Sequence, residues 1–442
     1  MPPALHAASA DPPQHEAGKN GRAPQLLRLL TCGSVDDGKS TLIGRLLYDC
    51  RAVFADQIAA IEHASRRRGD EQIDLSLFTD GLRWEREQGI TIDVAHRYFS
   101  TATRRYILID SPGHVQYTRN MVTGASHADL AIILVDARHG VQEQTHRHAY
   151  LAALLGIRSL IVAVNKMDLV QWREDAFTTV RTAFEALRSE LHGAEVTYVP
   201  VSALKGDNIV HRSGAAAWYT GPSILELLEA APTHYLDGAG PARFPVQLVI
   251  RPRGRSPGEH DFRGYAGAVA SGTFRVGDRV TAMASGRSSV IETIRILDDR
   301  LQQCRAPQSV VMTLADDIDI GRGDMLVHAG APAPSVRELR ATVVWMGPST
   351  AQPGRRYLMR HTTHFTPAIL SGIDSLLDIH TLRPGPAIAA LQPNDIADVR
   401  IRVAAPIFAD TYEAARSTGS FILIDEATND TVAAGLIRHC EG

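Results

Sequence analysis

A chain of 442 residues is long enough for about three domains of ordinary size, and a hydrophobic content of 44% supplies a core for each. Its 46 basic and 49 acidic side chains give a formal net charge of −3, which argues against binding to nucleic acid through bulk positive charge. No apolar run approaches the roughly 18 residues that a membrane-spanning helix needs, and the four cysteines form no metal-binding or disulfide pattern. We therefore expect a protein of the reducing cytoplasm with neither nucleic acid nor membrane as a partner.

The first part of the chain divides into an extension and an α/β domain. Residues 1–24 are rich in Ala, Pro, Gly and His without an apolar stretch, and we interpret them as a disordered extension. Residues 25–237 alternate short apolar runs with helical stretches, which predicts a mostly parallel sheet with helices on both faces. The six predicted strands are 26–32, 93–99, 106–110, 130–136, 159–165 and 195–201.

A change of pattern after the Pro- and Gly-rich stretch 232–241 indicates two further domains. Helical periodicity stops there, and alternating strand-like runs with glycine turns take over. We predict β-barrels over 238–332 and 333–442, divided where Pro332 and Pro334 interrupt the pattern. The predicted strands are 245–251, 265–270, 278–283 and 310–314, then 341–345, 355–360, 396–403 and 420–425.

The segment after the first predicted strand matches the phosphate-loop pattern Gly-x-x-x-x-Gly-Lys-Ser/Thr in full. Its two glycines let the backbone approach a phosphate chain closely, and the helix that begins here points its N–H groups at the negative charge. We expect Lys39 to reach the β- and γ-phosphates and Ser40 to bind Mg²⁺ through its hydroxyl. The nucleotide contacts predicted in this loop are Gly33, Ser34, Val35, Asp36, Asp37, Gly38, Lys39, Ser40 and Thr41.

A second loop, formed by Asp110, Ser111, Pro112 and Gly113, follows the third predicted strand. An acidic side chain at this position can hold Mg²⁺ through water, and the Gly113 N–H can meet the γ-phosphate. The pattern Asp-x-x-Gly is common by chance. Its place at the end of a predicted strand, about 70 residues after the phosphate loop, favours a role in nucleotide binding.

A third loop, formed by Asn165, Lys166, Met167 and Asp168, indicates which base is bound. The Asp168 carboxylate can accept hydrogen bonds from N1–H and the exocyclic amine of guanine, whereas adenine offers an acceptor at N1 and would leave acceptors facing each other. Asn165 would position the loop and the base, and the stem of Lys166 would cover the ring. A backbone N–H toward guanine O6 is expected from Ser202, Ala203 and Leu204.

With the segment 85–93, which reads Glu-Arg-Glu-Gln-Gly-Ile-Thr-Ile-Asp, the chain resembles the translation-factor class of GTPases. Within this class, the chain is similar to the GTPase large subunit of bacterial sulfate adenylyltransferase. This narrower resemblance rests on residues 33–49, 85–93, 117–121 and 261–267. Ser34 and Asp37 stand where elongation factors usually carry histidines. The resemblance runs from about Leu26 to the C-terminus.

The resemblance implies GTP and Mg²⁺ as cofactors and assigns roles to two more residues. Thr91 would add a second hydroxyl to Mg²⁺ when the γ-phosphate is present, and His114 would orient the attacking water. It also implies a heterodimer or higher assembly with a smaller catalytic subunit. That subunit would make adenosine 5′-phosphosulfate and pyrophosphate from ATP and sulfate, in sulfate assimilation toward cysteine. Because no second phosphate loop occurs, we expect no adenylylsulfate kinase domain.

Two other functions fit the same architecture. One is an elongation-factor GTPase that carries aminoacyl-tRNA, although the basic run 66–68 is more simply a solvated surface. The other is a GTPase with a different partner. His361 and His364 lack a third metal ligand in the sequence nearby, and we expect them to be surface side chains.

Overall fold

The computed structural model describes residues 25–53, 58, 61, 75–78, 94–114, 118–232, 240–251 and 262–441. The predicted extension 1–24, the segment 85–93 with Thr91, and the basic run 66–68 lie outside these residues. Within the described ranges, no helix is both long and apolar enough to cross a membrane. The four cysteines are free thiols.

A six-stranded sheet forms the first domain, as predicted. Its strands are β1 (Gln25–Gly33), β2 (Ala95–Ser100), β3 (Arg104–Asp110), β4 (Leu130–Asp136), β5 (Ser159–Asn165) and β6 (Glu195–Pro200). Their order across the sheet is β2-β3-β1-β4-β5-β6, and every neighbouring pair is parallel except β2 with β3. Because the strands are parallel, the carboxyl ends of β1, β3, β4, β5 and β6 meet at one edge of the sheet.

Helices cover both faces of the sheet, which explains why its central strands are apolar throughout. The side chains of α1 and α5 join one apolar cluster with one face of the sheet, while those of α2, α3 and α4 join a second cluster on the other face. The helices are α1 (Lys39–Asp49), α2 (Thr118–Ala125), α3 (Glu143–Leu154), α4 (Glu174–Glu185) and α5 (Ile224–Ala230), with 3₁₀ turns at Leu75–Phe78, Met167–Val170 and Arg188–Glu190.

An antiparallel barrel follows. Its strands are β7 (Arg243–Pro245), β8 (Leu248–Ile250), β9 (Gly264–Ala268), β10 (Thr273–Arg275), β11 (Arg279–Ala282), β12 (Ser288–Ile296), β13 (Asp299–Leu301), β14 (Gln303–Arg305), β15 (Ser309–Leu314) and β16 (Met325–His328). Most of them form a sheet in the order β7-β16-β11-β12-β15-β9-β8, with β13 on β12 and with β10 paired to β14. The prediction of a single strand over 245–251 is wrong. The chain turns at Val246, whose N–H donates to the Asp324 carbonyl, so β7 and β8 lie at opposite ends of the sheet order.

A second, closed barrel completes the fold. Its strands are β17 (Ser335–Trp345), β18 (Arg356–His361), β19 (His364–Asp378), β20 (Arg383–Pro384), β21 (Ile396–Phe408), β22 (Ser420–Ile424) and β23 (Thr431–Glu441). The order is β18-β22-β23-β17-β21-β19-β20, and the additional pairing of β18 with β19 closes the ring. The predicted architecture of an α/β nucleotide domain followed by two β-barrels is confirmed.

One of the two histidines considered in the sequence, His361, differs from the prediction. His361 is 1% exposed, and its Nε2 lies 2.7 Å from the Thr418 carbonyl oxygen, so the expectation of a surface side chain is wrong for it. Burial lowers its pKa, as it does that of the half-buried His364. Among the described residues, no group of three or more His, Cys, Asp or Glu side chains could hold a metal ion.

Candidate nucleotide site

The predicted nucleotide loops lie together at the carboxyl edge of the sheet. The phosphate loop follows β1, the Asp110 loop follows β3, the Asn165 loop follows β5, and the tripeptide 202–204 follows β6. Three of these loops are tied by one side chain. The Asn165 Nδ2 donates to the Asp37 carbonyl oxygen at 2.7 Å, and its Oδ1 accepts the Ala203 N–H at 2.9 Å.

Two residues of the phosphate loop have left-handed backbone conformations. Asp36 has a φ of 67° and Gly38 a φ of 92°. Gly38 is required for a second reason, because a Cβ atom there would collide with the Asn165 side-chain nitrogen. Helix α1 begins at the next residue, so the first-turn N–H groups near Ser40 and Thr41 have no helical acceptor and are available to an anion.

A buried carboxylate braces this loop from inside. Asp37 is 5% exposed, and its Oδ2 accepts the Ser34 N–H at 2.7 Å. Burial raises the pKa of Asp37 to about 7, against the opposing effect of the Ser34 hydrogen bond. Val35 and Asp36 are exposed on the outer side of the loop. Asp37 therefore supports the loop from below.

The lysine and the aspartate predicted to serve phosphate and metal are in direct contact. The Lys39 Nζ lies 2.5 Å from the Asp110 Oδ1, with exposures of 7% and 2%. This brings together a cation suited to phosphate and a hard oxygen donor suited to Mg²⁺. Ser40 adds a hydroxyl from the same end of α1.

The Asp110 loop packs directly on the phosphate loop. A Cβ atom on Gly113 would lie 2.6 Å from the Gly33 carbonyl oxygen, so only glycine allows this approach. Ser111 and Pro112 are buried, and the Ser111 N–H donates to the Thr31 carbonyl oxygen at 3.2 Å. His114, the next residue, is half-buried. Thr91 lies outside the described residues, so its predicted position beside the metal is not placed.

The side chains of the base loop, residues 165–168, have different surroundings. Lys166 has a φ of 61°, and its Nζ contacts the Asp36 carbonyl oxygen and lies 3.0 Å from the Asp136 Oδ2. The side chain of Asp168 is 8% exposed and faces the Lys205 Nζ at 3.9 Å. Met167, in contrast, is fully buried in the apolar cluster beneath the sheet, so its side chain packs in the core.

The backbone N–H groups of the tripeptide 202–204 differ in whether they already donate a hydrogen bond within the protein. The Ser202 N–H donates to the Asp207 carbonyl and the Ala203 N–H to Asn165. The Leu204 N–H makes no hydrogen bond within the described part of the chain.

Two residues that support the site were missed from the sequence. Asp136, 1% exposed, ends β4 as Asp110 ends β3. Although burial opposes ionisation, hydrogen bonds from Arg138 and Lys166 lower the pKa of Asp136. Arg45 on α1 donates to the carbonyls of the tripeptide, through Nε at 3.4 Å and Nη2 at 2.5 Å. The position of Asp136 at the end of a fully buried strand was an available signal, whereas nothing local marked Arg45.

The sheet, the phosphate loop and the two barrels define a GTPase of the translation-factor class. Residues 24–237 match the family model described as elongation factor Tu GTP binding domain, and residues 338–438 match that of GTP-eEF1A C-terminal domain-like proteins. The solved GTPase-like domain of S. cerevisiae Ski7, bound to GDP and inorganic phosphate, has the same fold, with a TM-score of 0.52. It is 17% identical, and the match covers 94% of this chain and 97% of that one.

Curated relatives define the family. Sulfate adenylyltransferase subunit 1 of Teredinibacter turnerae is 48% identical over 93% of this chain and 87% of its own length. The bifunctional enzyme CysN/CysC of Mycobacterium tuberculosis is 50% identical over 93% of this chain and 67% of its own length. The chain belongs to the subunit 1 family of sulfate adenylyltransferase, and it carries a GTP-binding GTPase domain.

Proposed function

We propose that this chain hydrolyses GTP to drive a reaction on a smaller catalytic partner subunit, in which ATP and sulfate give adenosine 5′-phosphosulfate and pyrophosphate. The observation that carries the proposal is the 48% identity, across 93% of the chain, to a relative named subunit 1, a name that implies a second subunit. We place the reaction in the cytoplasm, in sulfate assimilation toward cysteine. The four free thiols support a reducing compartment.

The phosphate end of the site supports binding of GTP with Mg²⁺. The buried Asp110 and the hydroxyl of Ser40 are the hard oxygen donors that Mg²⁺ prefers, and we assign Thr91 as a third. Bound there, Mg²⁺ would neutralise charge on the β- and γ-phosphates. Lys39 would exchange its contact with Asp110 for the phosphates. His114, directly after the close approach of Gly113, would orient the attacking water.

Guanine recognition rests on the base loop. The Asp168 carboxylate supplies the acceptors for N1–H and the exocyclic amine, and the Lys166 stem covers the ring. Of the three amides at 202–204, the Leu204 N–H is the one that we assign to guanine O6, since the other two donate elsewhere. Asn165 would position the loops, through its hydrogen bonds with Asp37 and Ala203, as well as the base.

We also propose the domain division 25–237, 238–332 and 333–442, preceded by a disordered extension over 1–24. The extent of the matching GTP-binding family model, 24–237, supports the first boundary. Assembly with the catalytic subunit as a heterodimer or a larger complex is part of the same proposal. The expected absence of an adenylylsulfate kinase domain stays a prediction.

A reconstituted assay tests the function. The full chain is mixed with its catalytic subunit, ATP and sulfate, and the formation of adenosine 5′-phosphosulfate is followed with GTP, with a non-hydrolysable GTP analogue, and without either. We expect GTP alone to raise sustained product formation, and Lys39→Ala to remove that effect. If GTP leaves the rate unchanged with a competent partner, the proposal fails, and tight GTP-dependent retention of aminoacyl-tRNA on a filter would support the carrier function instead.

A further inference from the structure

A cavity of about 300 Å³ lies where the nucleotide domain meets both barrels, away from the nucleotide loops. Its walls come from the end of α3 and the following residues, from Ser271 after β9, and from the segment 412–416 with Arg438 on β23. Tyr412 is 7% exposed, and its hydroxyl donates to the Leu155 carbonyl oxygen at 2.8 Å. Three separate parts of the chain therefore form one cavity.

The charged side chains around this cavity are mostly cationic. Arg158, Arg416 and Arg438 line it, and Glu413 is the single carboxylate among the lining residues, so their formal charges sum to about +2. Within the part of the chain that the structure describes, neither Arg158 nor Arg438 forms an ion pair with a carboxylate. Because one carboxylate lies among three guanidinium groups, the lining has an excess of positive charge that favours an anion.

The hydrogen bonds of these arginines leave donors for a ligand. Arg438 donates from Nε to the Thr342 Oγ1 at 3.0 Å, and Arg158 donates from Nη1 to the His192 carbonyl oxygen. A guanidinium carries five N–H donors in a planar fork, and each of these two bonds uses one of them. The other N–H groups of each planar guanidinium can donate to two oxygens of one tetrahedral anion.

His192 also lines the cavity. Burial and the neighbouring Arg438 and Arg158 lower its pKa, while Glu190 and Glu413 act in the opposite direction. Its ring lies 5.5 Å from the ring of Tyr150 between centroids. The imidazole is therefore neutral near pH 7 and offers one N–H donor without adding charge.

We propose that this cavity binds a tetrahedral oxyanion, the sulfate or phosphate group of a ligand that is either inorganic or a nucleotide. At about 30 Å³ per molecule of liquid water, the cavity has room for such an anion and for part of the group that carries it. Arg158 belongs to the nucleotide domain and Arg438 to the second barrel. An anion bound by both side chains therefore stabilises the arrangement of these two domains.

Equilibrium dialysis of radiolabelled sulfate against the full chain tests the site. The protein is first saturated with GDP and Mg²⁺, because the phosphate loop is itself an anion site and must be blocked. Ionic strength is held constant with sodium chloride. We expect saturable binding of one sulfate per chain, weakened at least tenfold by Arg158→Gln and by Arg438→Gln.

Matched controls separate the site from general charge and from misfolding. Arg300→Gln removes the same charge from an exposed position on β13 and should leave sulfate binding unchanged. Unchanged GDP affinity shows that the nucleotide domain of each variant is folded, and Arg158→Gln alone, at an exposed residue of that domain, keeps the test valid if Arg438→Gln misfolds. Absence of saturable binding, or an equal loss in all three variants, overturns the proposal.

Competition identifies the source of the anion. Unlabelled phosphate, AMP and adenosine 5′-phosphosulfate are added in turn to the dialysis with labelled sulfate. Displacement by the nucleotides at concentrations at least tenfold below that of phosphate assigns a nucleotide ligand. Equal or stronger displacement by phosphate assigns an inorganic anion, and failure of every tetrahedral anion to displace the label overturns the proposal.

Discussion

Two buried networks in this molecule each join a basic side chain to a carboxylate, and they differ in where they lie: one is between the barrels, and the other is at the nucleotide loops. Between the barrels, Arg243 and Asp410 form a two-point ion pair at 2.9 and 3.0 Å, and Asp410 also accepts the Thr418 hydroxyl at 2.7 Å. Arg243 donates further to the Ala331 carbonyl oxygen at 2.7 Å. This network is complete within the protein.

The network at the nucleotide edge is different. The pKa of Asp37 is raised by burial, and that of Asp136 is lowered by its hydrogen-bond partners despite burial. Lys39 and Asp110 meet through one contact of 2.5 Å, at a place where glycines hold two loops close together. Burial of charge alone therefore does not mark a functional site. At the nucleotide edge, the buried charges lie beside backbone N–H groups of the phosphate loop that are available to an anion.

The largest effect on stability is expected at the barrel network. Asp410→Ala leaves the guanidinium of Arg243, 3% exposed, buried without its carboxylate, and we expect a loss of about 3–5 kcal/mol in the free energy of unfolding. Urea unfolding followed by fluorescence measures it. The more exposed pair Arg355–Asp425 is the control, and Arg355→Ala should cost less than about 1 kcal/mol. Equal losses in the two variants would show that the barrel pair is not special.

At Lys39 we expect the main effect to be on GTP hydrolysis rather than on stability. Lys39→Ala removes the cation that faces the phosphates, and we expect GTP hydrolysis to fall about 10²- to 10³-fold. Single-turnover release of phosphate measures the rate. Lys205→Ala, at a lysine that is 53% exposed, should change the rate only slightly. A fall of less than about tenfold in Lys39→Ala would remove the central role given to this residue.

Asp168→Asn sharpens the comparison at the base. The change replaces a carboxylate oxygen by an amide N–H, so one acceptor for guanine becomes a donor. We expect GTP affinity to fall by about tenfold to a hundredfold and the preference over ATP to shrink with it. Competition between the two nucleotides for a fluorescent analogue measures the ratio. An unchanged ratio would place guanine recognition elsewhere.

A pH dependence of stability is expected to originate at Asp37. Because burial raises the pKa of Asp37 to about 7, the folded protein keeps a proton between about pH 4 and 7 that the unfolded chain releases. The contribution of this group to stability therefore falls as pH rises through that window and stays constant above it. Asp37→Asn should flatten that part of the profile, measured as the urea midpoint against pH. Asp36→Asn, on the exposed side of the loop, is the matched control, and a wild-type slope in Asp37→Asn would refute the assignment.

The sheet of the nucleotide domain was predictable because its signal is local. Strands β4 and β5 have the bounds predicted from the sequence, since each is a continuous apolar run that is almost wholly buried. The phosphate loop was equally predictable from the sequence, because its glycines, lysine and serine lie close together in the chain. Met167 shows the limit of such motifs, since one member of the base loop packs into the core.

The barrels were less predictable because their pattern is interrupted. Strand β19 spans His364–Asp378, although Pro367 and Gly372 are typical of breaks, and its pairing with β21 shifts register twice. The ion pair of Arg243 with Asp410 joins residues 167 positions apart, and no local pattern reveals it. The cavity lined by Arg158 and Arg438 depends on the packing of three parts, so only the structure brings these residues together.

Calorimetric titration of the full chain with GTP and with ATP, each in the presence of Mg²⁺, tests the central claim most directly. The account predicts one GTP bound per chain, with an affinity at least about a hundredfold above that for ATP. Absence of binding heat with GTP, or equal affinities for the two nucleotides, would contradict it.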